Sequence, residues 1–140
     1  MKKIRAYSGR IAFLYILNLF ILGGDIMSKK HINDCYKYTL ERLWELSVPY
    51  SEQKNNTEEF ALWNLPNELA DDWCNMSYFI DVLYDNKMID DTIKCVLIEI
   101  NDNFEKCTNE ENFTHNAMKY GEFWESQRKL AKKALQLMKK

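Results

Sequence analysis

The side chains with chemical reach are few. His31 and His115 lie 84 positions apart, and the four cysteines, Cys35, Cys74, Cys95 and Cys107, are separated by 39, 21 and 12 positions. A thiol nucleophile needs an imidazole only near it in space, so either histidine could serve any of these cysteines. Distant pairs of this kind occur in almost any chain and carry little weight alone. The patterns H-E-x-x-H, G-x-S-x-G and G-x-x-x-x-G-K-[ST] are absent from the sequence. No C-x-x-C is present either, and a tetrahedral zinc site needs closely spaced ligands that a short knuckle can close. The expectation is a non-catalytic protein with no metal and no cofactor. Cys35 and Cys95 read as small core hydrophobes. In a cytosolic chain all four cysteines should be free thiols, and two disulfides become credible only if the chain is exported.

Trp44, Trp63, Trp73 and Trp124 could form a ligand cage or a platform for stacking bases. Trp73 and Trp124 fall on apolar stripes and are expected in the core, whereas Trp44 and Trp63 fit either role. Arg128, one turn after Trp124, reads as a cation resting on that aromatic face.

Those residues must be positioned by a chain of 140 residues, in which 19 Lys and Arg against 21 Asp and Glu leave a net charge of -2. That balance argues against a nucleic-acid coat or a polybasic membrane binder. With 46% apolar and 14% aromatic residues, the chain can build one core without disulfides or metal. Four glycines, three of them before residue 25, are too few for a Gly-rich phosphate loop or many tight hairpins.

Residues 1–26 differ from the rest. Lys2, Lys3, Arg5 and Arg10 precede a twelve-residue apolar run, Ile11 to Leu22, in the order of a signal peptide but too short to span a bilayer as a helix. An A-x-A cleavage site and a following lipoprotein cysteine are both missing. Gly23-Gly24-Asp25-Ile26-Met27 can be encoded as GGA-GGU-GAU-AUU-AUG, a ribosome-binding sequence before a start codon. The favoured expectation is a mistranslated upstream region, with the protein beginning at Met27. A genuine signal or anchor is the alternative, and a folded helix the third.

From residue 27 to 140 the pattern predicts an all-α, single-domain bundle of about four to five helices. Ile32, Cys35, Tyr36, Leu40, Leu43 and Leu46 follow helical spacing until Val48-Pro49 stops it. Residues 48–57 read as loop, followed by a short helix over Glu58 to Trp63. Pro66 suits the first turn of a helix whose stripe is Leu69, Trp73, Met76, Ile80 and Leu83. After a break at Asn86-Lys87, Asp90 caps a helix carrying Ile93, Leu97, Ile100 and Phe104. Cys107 to Asn112 reads as a second polar loop. The last helix is expected from about Gly121 to Met138, with Trp124, Ala131, Leu135 and Met138 inward. No internal repeat is visible.

Charge is unevenly distributed. Ser51 to Glu111 holds 15 acids and four bases, net -11, while Asn112 to Lys140 holds two acids and seven bases, net +5. An acidic middle can be a solvated surface that also complements helix dipoles. It can equally be a docking face, because complementary fields accelerate and orient association with a basic partner.

The stretch Asn64-Leu-Pro-Asn-Glu-Leu-Ala-Asp-Asp-Trp73 and the late segment Phe123-Trp124-Glu-Ser-Gln-Arg128-Lys-Leu-Ala131-Lys-Lys-Ala-Leu135 resemble small helical immunity proteins of bacterial polymorphic-toxin and contact-dependent inhibition systems. The shared pattern is an L-P-x-E-[LI]-A-x-x-W start and a W-x-x-x-R-x-x-A-x-x-x-L final helix. The resemblance covers roughly Phe60 to Met138. It implies a non-catalytic cytoplasmic inhibitor that binds one cognate toxin domain, a basic nuclease being a common case, without nucleic acid or membrane as partner unless residues 1–26 are a genuine signal or anchor. A helical adaptor or regulator is the runner-up, then a secreted or membrane-tethered helical protein, and a thiol enzyme last.

A helical wheel locates the expected binding face. With Leu69 at zero and 100° per residue, Asp71 falls at about 200°, Tyr78 at about 180°, Asp85 at about 160° and Asp81 at about 120°. Tyr78 would then stand outward between carboxylates, as an interface anchor ringed by acids. On the next helix Ile98 lies about 140° from Ile93, flanked by Asp91, Asp102 and Glu105. Asp71, Tyr78, Asp81, Asp85, Asp91, Ile98, Asp102 and Glu105 are therefore the expected partner-binding residues.

Overall fold

The computed structural model describes residues 28–139, so the reading of residues 1–26 concerns a segment outside the described residues. Those described are helical with no strand, an all-α bundle as the periodicity predicts. Its main helices are α1 (Lys29–Ser47), α3 (Leu65–Cys74), α4 (Ser77–Asp85), α5 (Asp91–Lys106) and α7 (Glu122–Met138); α2 (Tyr50–Asn55) and α6 (His115–Tyr120) are short.

Helix α1 starts where Ser28 accepts a hydrogen bond from the His31 amide at 3.0 Å. It ends at Val48, which is extended as a residue before proline must be. The expected loop over 48–57 is instead largely helix α2, entered through Pro49. No apolar period announces it, because its inward residues are polar. Gln53 is buried and its amide donates to Glu45 O at 3.1 Å and Leu46 O at 3.3 Å, satisfying carbonyls at the end of α1. The short helix expected at 58–63 is present as a 3-10 helix, Glu59–Asn64.

The stripe Leu69, Trp73, Met76, Ile80 and Leu83 is buried throughout, each residue at most 2% exposed. It is nevertheless carried by two helices rather than one. At Asn75 the backbone tightens, the Met76 amide bonding to Trp73 O and the Asn75 side chain donating to Asp71 O. A polar side chain competing for a helix carbonyl is a local reason for the break. Helix α4 ends in a Schellman turn: Met88 N donates to Leu83 O at 2.8 Å around Lys87, whose φ of 59° is left-handed. Asp90 caps α5 through the Ile93 amide at 2.9 Å, as its sequence position suggests.

The second polar loop contains a 3-10 turn, Glu110–Phe113, and leads into α6, a helix the sequence reading missed, capped by Thr114. Gly121 joins α6 to α7. A Cβ there would meet Ala117 O at 2.5 Å, so the close approach of the two helices requires glycine.

Helices α1 and α7 run in opposite directions. Tyr36 donates to Met138 O at the end of α7, and Arg128, nearer its start, meets Gln53 just beyond the end of α1. Helix α7 also packs on α5 and α6, and α5 on α3 and α4, which close against α1. Leu43, Leu46, Leu97, Ile100 and Ala131 fill the space between them. The rings of Tyr38 and Phe79 stack at 4.5 Å, and Trp124 lies 5.4 Å from Phe104 while its indole donates to Asn112 O at 2.7 Å.

Two sequence expectations about core residues change here. Cys95 is exposed, unlike the fully buried Cys35, because it lies across α5 from the Ile93 and Leu97 face. Arg128 does not rest on Trp124. It is buried, donating to Gln53 Oε1 at 2.9 Å and to Met118 O, so it joins α7 to α2 and α6.

Candidate functional site

The structure brings one cysteine and one histidine together. On successive turns of α1, Cys35 Sγ lies 3.7 Å from His31 Nε2, which in turn is 2.9 Å from the Tyr78 hydroxyl. Burial, aided by the Asp34 carboxylate, pushes the Cys35 thiol up to about 12, and burial lowers the His31 imidazole despite Asp34. A protonated thiol is a poorer nucleophile than a thiolate, and this chain of contacts packs α1 against α4. His115 accompanies Tyr50, Nδ1 to hydroxyl 2.7 Å. Among the described residues no three His, Cys, Asp or Glu side chains are grouped to hold a metal ion, and no described helix is long and apolar enough to cross a membrane.

Tyr78 is therefore not the outward anchor that the wheel suggested. The wheel ran straight through the break at Asn75, and α4 restarts with its own orientation. There Ser77, Asp81 and Asp85 form the exposed strip, with Tyr78 on its shoulder toward α1 and Tyr84 on the opposite shoulder toward α5. Tyr84 is half-buried like Tyr78 and stands on the α5 side of the strip. Its hydroxyl donates to Asp91 at 2.6 Å and Lys94 Nζ stands 3.9 Å from its ring. The hydrogen bond to Asp91, then the charge of that carboxylate, raises the Tyr84 phenol.

On α5 the residues Asp91, Cys95, Ile98, Asp102 and Glu105 recur every three or four positions and so form one line along the helix. Asp91, Cys95, Ile98 and Glu105 are exposed, Ile98 to 38%, and Asp102 is half-buried beside Lys106 at 3.8 Å. Asp71 on α3 is half-buried. The Cys74 thiol is raised by burial and then by Asp71 and Glu105, which places both carboxylates around it. The structure thus joins Asp71 and Glu105 at one end of the face. At the other, Asp85 and Asp91 line an open groove of about 830 Å³ together with Tyr84, Lys87, Met88 and Leu137. Asp81 stands on the outer strip between them.

One acid of the middle segment is withdrawn from this surface. Asp72 is 1% exposed and, with Glu45, surrounds the buried Arg42. Arg42 donates to Glu45 at 2.9 Å and lies 4.7 Å from the Tyr38 ring. Burial alone would lower the Arg42 guanidinium, but Glu45 and then Asp72 raise it. The sequence reading missed this cluster, because a charged residue beside a stripe has no signature distinguishing a buried ion pair from a solvated one. Compared with protein-family models, curated proteins and solved structures, the chain matches none of them.

Proposed function

We propose that the chain is a non-catalytic, cytoplasmic immunity protein that neutralises one cognate bacterial toxin domain through the acidic face of α3, α4 and α5. The observation that carries this reading is the α5 line from Asp91 to Glu105. It sets an exposed isoleucine among carboxylates on a rigid helix, flanked by Tyr84, Asp71, Asp81 and Asp85. An apolar centre gives an interface its affinity, while the surrounding charge steers a basic partner such as a nuclease into register. Inhibition then requires only that the bound protein cover the toxin's active site or an adjacent surface.

The test is protection. Toxin domains found encoded next to this gene are expressed one at a time in a susceptible host with and without the chain. Restored growth is expected with wild type, and reduced protection with the combined variant Asp81→Asn, Asp85→Asn, Asp91→Asn and Ile98→Ala. Association of the purified pair should slow with salt, because charges on an exposed face are screened. Absence of protection by wild type would overturn the proposal.

A further inference from the structure

The most exposed large apolar side chains among the described residues include two that stand three positions apart. Phe60 is 68% and Trp63 79% exposed, both on the 3-10 helix Glu59–Asn64. With three residues per turn, a 3-10 helix places positions i and i+3 one above the other, so the two rings project from the same side. The backbone beneath them is held: Ala61 N donates to Glu58 O at 3.0 Å, and the segment runs directly into the buried Leu65 and Pro66 of α3. Aromatic surface presented on an ordered backbone loses little entropy on binding.

We infer that Phe60 and Trp63 are the aromatic anchor of the toxin interface, inserting into an apolar cleft rimmed by basic residues. This rests on the function proposed above and adds an aromatic anchor to the apolar centre at Ile98. Charge identifies the occupant. Ser51 to Glu68 holds Glu52, Glu58, Glu59 and Glu68 against Lys54 alone. A symmetric contact with a second copy would oppose Glu58 and Glu59 to their own counterparts, and like charges at an interface are unfavourable. The anchor also adjoins the acidic face: Asn67, hydrogen-bonded to Asn64 at 2.7 Å, leads along the outer side of α3 to Asp71. Tryptophan is enriched among the few residues that dominate interface energy.

The experiment uses the full chain and the purified toxin domain of the protection test. Trp63→Ala should weaken binding by about 30-fold or more, the change expected of an interface hot spot, and Phe60→Ala in the same direction, with thermal unfolding unchanged because both rings are exposed. Glu58→Gln with Glu59→Gln should slow association at low salt more than at high salt. Binding by wild type with Trp63→Ala within about twofold of it, far below the hot-spot range, would overturn the anchor and leave the proposed function standing. Failure of wild type to bind would overturn both. Sedimentation equilibrium of the chain alone adds a third arm: a dimer abolished by Trp63→Ala would assign the rings to a second copy and overturn the inference.

Discussion

The Tyr78 hydroxyl sits 2.9 Å from His31 Nε2 and ties α4 to the first turn of α1. The imidazole is held below its usual value of 6.5 by burial, with Asp34 opposing. A lowered folded value means that the unfolded chain binds the proton more readily. The contribution to stability is therefore complete above 6.5 and is lost as pH falls through the folded value. Urea midpoints should drop on acidification from neutral pH, and His31→Gln should flatten that slope. An unchanged slope in the variant would show that His31 does not carry the dependence.

Gln53→Ala should destabilise the protein by about 2 to 3 kcal/mol, since it removes a neutral partner of a buried guanidinium and the donor to two helix-end carbonyls. The lost contacts are those to Arg128 at 2.9 Å, Glu45 O and Leu46 O. Denaturant unfolding checks this; a loss under about 0.5 kcal/mol, typical of a surface site, would mean that water replaces the side chain.

Trp73→Ala should cost about 3 to 5 kcal/mol, the usual range for truncating a fully buried aromatic ring. The ring is 1% exposed. Equilibrium unfolding of the variant measures the loss, and near-wild-type stability would contradict its place in the core.

The cysteines should react in order of exposure. Cys95 is exposed, whereas Cys35 is buried with its thiol at about 12. Iodoacetamide labelling of the native protein, read by mass spectrometry, should modify Cys95 first and Cys35 only after unfolding. Equal native rates would show that α1 opens readily.

Much of the helical architecture was legible because burial in a helix imposes a period on apolar residues. Leu69 to Leu83 and Ile93 to Phe104 show that period, and Asp90 provides a local cap visible as a residue type. Helix α2 was not legible, since its one buried residue is the polar Gln53, whose partners Glu45, Leu46 and Arg128 all lie outside that helix. The same limit applies to the candidate face. Sequence determined that the α5 carboxylates lie opposite the Ile93 to Phe104 stripe, because both sit on one uninterrupted helix, whereas Asp81 and Asp85 face outward by the course of α4 itself and not by the wheel drawn from Leu69. Only the tertiary structure decided that α3 and α4 are separate helices, that Tyr78 turns to His31 while Tyr84 joins Asp91, and that Asp72 is buried against Arg42. Periodicity specifies direction relative to one helix axis, whereas the neighbour that a side chain meets depends on how separate axes cross.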